Sequence, residues 1–233
     1  MAAHVKSIDK NHLLQAGLEG FYSEASSYRK AYNPNFQVGT DFIKNNQIPG
    51  IDFATVHSYP DEWYRIPSPN CSLSISLERL FLRRLTSSSD YSREVFLKKW
   101  IAIHIRDAQN ILRKPLLLAE FGKSVRISST NQRDELYRTV YSSIISCARS
   151  GGVAIGSAFW QLFAEGMDSF RDGYEVVLSQ TPSTANLIAD HSFQLNQLRR
   201  RYAEQHNMAK WRNPRNIGRH QWWVEGERNE TQT

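Results

Sequence analysis

"PLLLAEFGKS" (Pro115–Ser124) runs four apolar residues, Leu116 to Ala119, directly into Glu120. A carboxylate is costly inside a hydrophobic strand, so the stretch reads as a buried strand whose carboxyl end emerges where a charge is useful. Gly122 lets the backbone turn there. In open α/β sheets and (β/α) barrels alike, the carboxyl ends of parallel strands form the rim where ligands bind. The plainer alternative is an ion pair at the strand end, for instance with Lys123.

Working outward, further strand candidates are "LLQAGLEGFY" (Leu13–Tyr22), "IDFATVHSY" (Ile51–Tyr59) and "VAIGSAFWQLF" (Val153–Phe163). A helix before Pro115 puts Phe96, Trp100, Ile101, Ile105, Ala108 and Leu112 on one face. A second, capped by Asn131 or a neighbour and ended by Gly151, repeats Leu136, Val140, Ile144 and Ala148 at every fourth position. "AAHVKSID" at the start reads as helical, and "TSSSDYS" (Thr86–Ser92) as a loop. Apolar strands alternating with helices predict a parallel α/β sheet covered on both faces.

The chain has 233 residues and is 40% hydrophobic, enough for a real core. Its 29 Lys and Arg against 23 Asp and Glu give a net charge of +6, with much of the excess in the segment after Leu198 that carries Trp211, Trp222 and Trp223. That segment reads as a solvated tail, and no nucleic-acid partner is expected. Cys71 and Cys147 lie far apart with no metal-ligand spacing, so neither a metal site nor a disulfide framework is indicated. Lys6, Asp9 and Lys10 interrupt the stretch where a signal peptide needs an apolar core, and no segment has the length to span a membrane.

Each predicted strand delivers a capable group at its carboxyl end: Glu19, His57 with Tyr59, Glu120, and Trp160 with Gln161. Taken singly, such a histidine is more often structural and such a tryptophan more often core. Four arriving in register point to a site.

At these residues the chain resembles the plant endo-β-mannanases of glycoside hydrolase family 5. "HVKSIDKNHLLQAGLEGFY", "QVGTDFI", "IDFATVHSYPDEW", "PLLLAEFGKS", "FWQL", "DGYEVVL" and the basic "KWRNPRNIGRHQWW" carry the likeness over nearly the whole chain. The resemblance implies retaining hydrolysis of internal β-1,4-mannosidic bonds in mannan, galactomannan or glucomannan, with no cofactor and an extracellular setting. The fold it implies is a partial (β/α)8 TIM barrel, strands five to eight with flanking helices. Residues 1–197 would form that half, with residues 198–233 as a basic tail. Glu120 matches the nucleophile, His57 and Tyr59 match a site histidine and tyrosine, and Trp160 matches the tryptophan floor of a sugar subsite. Glu19 and Trp63 match positions near the cleft.

Two departures follow. The family's Asn-Glu-Pro segment, which supplies the acid/base glutamate, does not occur in this sequence, so the chain alone is expected to be inactive on mannan. Glu19 is the tempting substitute, but it corresponds to strand five. The stretch 65–87 is longer than the family's link and is either an extra amphipathic helix through Leu77, Leu80 and Leu85 or an unusual splice. The alternative function is a catalytically silent barrel fragment that binds carbohydrate or another partner. Four strands leave two open edges, so self-association is expected, with the burial of Ile51, Phe53, Leu116, Leu118 and Phe159 left open.

Overall fold

Three of the apolar runs become strands. β1 (Ala54–Ser58), β2 (Leu116–Phe121) and β3 (Ala154–Ser157) pair in parallel in the order β1-β2-β3 in the computed structural model, which describes residues 1–34, 40–63 and 89–205. The helices are α1 (Ala2–Ile8), α2 (Phe42–Asn46), α3 (Pro60–Trp63), α4 (Ser89–Asp107), α5 (Thr130–Arg149) and α6 (Pro182–Gln205). The described residues divide after His191 into two units, the second beginning at Ser192 within α6. The long stretch 65–87, Cys71 and the tail tryptophans lie outside the described residues.

The expected strand Leu13–Tyr22 does not join the sheet. Gly17 (φ 62°) and Gly20 (φ 109°) take left-handed conformations that break an extended run. The segment still meets the chain around β1, where Asp52 N donates to Leu14 O at 2.8 Å and His57 N to Glu19 O at 2.9 Å. Between those contacts Leu18 N donates to the Thr55 hydroxyl at 3.2 Å, so a side chain takes the place of a ladder bond.

The helix before Pro115 starts earlier than the serine run suggested, because Ser89–Ser92 are already helical. α4 continues as a π-helical turn over Ala108–Leu112 and stops at Arg113, which turns left-handed (φ 53°). Trp100, Ile101, Ala108 and Leu112 are buried along it. The cap of α5 is Ser129, in a reciprocal pair with Gln132: Ser129 N donates to Gln132 Oε1 at 2.7 Å and Gln132 N to Ser129 Oγ at 3.3 Å.

Leu116 and Leu118 are buried, as is Ile51, whereas Phe53 and Phe159 are half-buried. The apolar strand residue left in solvent is Ile155, 54% exposed. Phe121 is fully buried between Tyr137 and Tyr141, with ring centroids at 4.9 and 5.7 Å. A second aromatic cluster joins Tyr22, Phe42, Trp100 and His104. There Arg29 grips the buried Asp107 with two bonds (2.6 and 3.0 Å), and Tyr22 Oη donates to the same carboxylate at 3.0 Å.

Candidate active site

The alternation of β2 alone points Glu120 the wrong way. Leu116 and Leu118 face the core, and a strict period of two would send Glu120 after them. The ladder with β1 prevents this. Val56 pairs with Leu118, the register then slips, and His57 pairs with Glu120 and Ser58 with Phe121, leaving Ala119 unpaired. Paired residues in a parallel ladder share a face, so the extra residue turns Glu120 out beside His57 and returns Phe121 to the core. This re-aiming answers why an acid follows four apolar residues.

The carboxylate is held on one oxygen. Tyr59 Oη donates to Glu120 Oε2 at 2.9 Å, and His57 Nδ1 lies 3.4 Å from the same oxygen. The longer contact is an ion pair when the imidazole is protonated. Burial, then the hydrogen bond and charge of Glu120, then the charges of Asp172 and Glu19 hold the Tyr59 phenol far above its ordinary range, so it serves as a proton donor. Glu19 itself is exposed, and its backbone carbonyl is fixed by His57 N.

Trp160 follows β3 and is 41% exposed, with its backbone N–H donating to Phe121 O at 2.8 Å. Trp63 is only 8% exposed, packed among Phe21, Tyr59 and Trp100, which leaves little of its ring to meet a ligand. Of the six expected site residues, Glu120, His57 and Tyr59 are in direct contact. Glu19 is joined to His57 through the backbone, Trp160 flanks the turn after β2, and Trp63 supports Tyr59 from behind.

Three residues without an expected role complete the surroundings. Tyr174 stands edge-on to Tyr59, centroids 5.5 Å apart at 90°. Its hydroxyl donates to Asp61 Oδ2 at 3.1 Å, and Ser124 N donates to that oxygen at 2.8 Å. Burial raises the Asp61 carboxyl above its ordinary value, while the two donors pull the other way. Asp172 accepts from Gln161 Nε2 at 3.0 Å and from Tyr174 N at 2.9 Å. Gly122 permits this packing, since a Cβ there would come 2.8 Å from both Trp160 O and Tyr174 Cδ1. The segments "HSYPDEW" and "DGYEVVL" contain these residues, but nothing local in them marks the contacts.

Among the described residues no group of three or more His, Cys, Asp and Glu side chains is placed to hold a metal ion, and no helix is long and apolar enough to cross a membrane. The chemistry on offer is that of one partly exposed, hydrogen-bonded carboxylate with an aromatic ring nearby: nucleophilic attack or polar binding.

A family model described as GH family 5 beta-mannosidase-like matches residues 1–170. Mannan endo-1,4-beta-mannosidase 7 of Arabidopsis thaliana is 49% identical over 220 residues, which are 94% of this chain and 46% of that protein. Mannan endo-1,4-beta-mannosidase 1 of Oryza sativa subsp. japonica is 51% identical over 207 residues, 87% of this chain and 43% of that protein. The chain thus spans less than half the length of these relatives. Among solved structures, the endo-beta-1,4-mannanase from Thermotoga petrophila aligns with a TM-score of 0.60 at 25% identity, over 83% of this chain and 38% of that one. The endo-1,4-beta-mannanase from Rhizomucor miehei aligns at 0.52 with 24% identity, over 84% of this chain and 44% of that one, a likeness of fold.

Proposed function

The chain belongs to the glycoside hydrolase family 5 β-mannosidase-like family, and from that premise we propose that its site supplies the nucleophile for retaining hydrolysis of internal β-1,4-mannosidic bonds. The observation that carries this reading is the Glu120 carboxylate, held on Oε2 by Tyr59 and His57 at the carboxyl end of β2. With Oε2 occupied, Oε1 is the attacking oxygen. It adds to the anomeric carbon, the leaving oxygen departs with the bonding pair, and water later resolves the glycosyl-enzyme. The Trp160 ring offers a platform for the C–H face of a pyranose, and mannan-type polysaccharide outside the cell is the substrate.

Departure of a sugar alkoxide needs a proton from a second carboxyl group, and the Asn-Glu-Pro segment that carries it in the family does not occur in this sequence. Such general acid catalysis contributes about 10²–10⁴-fold, so the chain alone is expected not to turn over galactomannan. A leaving group that needs no proton separates the two roles. With 2,4-dinitrophenyl β-mannobioside, the wild-type chain should release dinitrophenolate and gain a mannobiosyl ester that mass spectrometry maps to Glu120, whereas Glu120→Gln should gain none. An ester elsewhere, or galactomannan turnover that survives Glu120→Gln, breaks the assignment. The missing segment also favours a second reading, a silent carbohydrate-binding module, which predicts mannobioside binding without any ester.

A further inference from the structure

We infer that Asp61 is a positioning residue for Glu120, fastening three segments at the carboxyl ends of the strands through a single oxygen; this rests on the reading of Glu120 as nucleophile. Asp61 belongs to α3, directly after β1, and is 6% exposed. Its Oδ2 accepts from Ser124 N, four residues past Glu120, and from the hydroxyl of Tyr174, in the segment after β3. The first bond sets the exit path of β2. The second sets the Tyr174 ring, which abuts Gly122 on one side and stands edge-on to Tyr59 on the other. Tyr59 in turn donates to Glu120.

The wiring explains a carboxylate in a costly place. Burying an acid is unfavourable unless its donors are well placed, and here both donors reach the same atom. Oδ1 is buried without a hydrogen-bond partner among the described residues. An asparagine can present its carbonyl oxygen to both donors in the same way, while an alanine can present nothing. Position, not charge, is therefore the property that matters.

The test compares Asp61→Ala, Asp61→Asn and Tyr174→Phe in the full chain, by the rate of Glu120 ester formation from 2,4-dinitrophenyl β-mannobioside and by hydrogen exchange of the Ser124 amide. Misplacing a reacting group by about 1 Å costs on the order of 10²-fold, so Asp61→Ala should slow ester formation by about 10- to 100-fold at saturating glycoside, with the half-saturating concentration little changed. Ser124 exchange should quicken at least about tenfold in Asp61→Ala, the effect of leaving its amide without an acceptor. Asp61→Asn should recover both readouts to within about threefold, since its carbonyl keeps both acceptor contacts. Tyr174→Phe should slow ester formation and leave Ser124 exchange unchanged, and it decides the matter if Asp61→Ala does not fold. The inference is overturned if folded Asp61→Ala or Tyr174→Phe forms the ester at the wild-type rate, or if Asp61→Asn is as slow as Asp61→Ala. Should the wild type form no ester, the nucleophile reading fails instead. The exchange arm then decides the fastening by itself, and unaltered Ser124 protection in Asp61→Ala refutes it.

Discussion

His104 and His191 are both buried, both in aromatic clusters, and burial lowers the pKa of each to about 4. Their surroundings differ. His104 has a carbonyl at each ring nitrogen, Trp100 O at Nδ1 and Gly20 O at Nε2, both at 2.7 Å, and Asp107 is near enough for its charge to oppose the burial effect. His191 stacks flat on Tyr141 at 4.0 Å and 8°, and neither of its nitrogens has a hydrogen-bond partner among the described residues. The first cluster is wired and ends at the carbonyl next to Glu19. The second fills space behind Phe121. Equal titration directions therefore hide unequal jobs: one cluster fixes backbone near the site, and the other supplies apolar bulk.

The largest effect that separates them is Asp107→Ala. It strips Arg29 of its partner and Tyr22 of its acceptor, and breaking a buried ion pair costs about 3–5 kcal/mol. Urea unfolding should show that loss, and a cost below about 1 kcal/mol would mean the wiring is ornamental.

An intermediate effect is pH-dependent. Between about pH 6.5 and 4 the unfolded chain binds a proton at His191 that the folded chain refuses, so stability falls as pH drops through that window. His191→Phe should be near neutral at pH 7.5 and relieve about 1–2 kcal/mol of acid destabilisation at pH 5. His104 can recover part of its penalty, because the imidazolium donates to both carbonyls. An unchanged acid limb in His191→Phe would move the sensitivity to His104 and reverse the comparison.

The smallest effect belongs to Tyr137, whose hydroxyl is buried without a hydrogen-bond partner among the described residues. Tyr137→Phe should raise stability by about 1 kcal/mol, read as a higher thermal midpoint, because the polar atom removed has no bond to lose. A loss of similar size would reveal a bound water or partner in the apolar cluster.

Much of the scaffold was legible from local pattern. The run from Leu116 to Glu120 announced a strand and its exit, and Leu136, Val140 and Ile144 announced the buried face of α5. The strand expected over Leu13–Tyr22 fails at Gly17 and Gly20, which turn the chain left-handed, while Gly20 does lie close to its neighbours: a Cβ there would come 2.7 Å from Val56 Cγ2. The serine run misled too, because Ser89–Ser92 look like loop residues and yet begin α4. The convergence of Glu120, His57 and Tyr59 could be expected from strand ends lying side by side. The Asp61–Tyr174 contact could not, since it joins residues 113 positions apart through side chains that no periodicity orders.

The unpaired Ala119 makes β2 a strand that changes phase partway along. Before it, even-numbered residues fill the core. After it, the odd-numbered Phe121 does. For protein engineering this means the acid cannot be transplanted by counting. Grafted onto a regular strand of equal length, Glu120 and Phe121 would exchange places, burying the charge and stranding the ring in solvent. Deleting Ala119 would instead leave a regular ladder in which Glu120 still meets His57 and Phe121 still meets Ser58, so what aims the acid is its partner on β1 and not its count along β2.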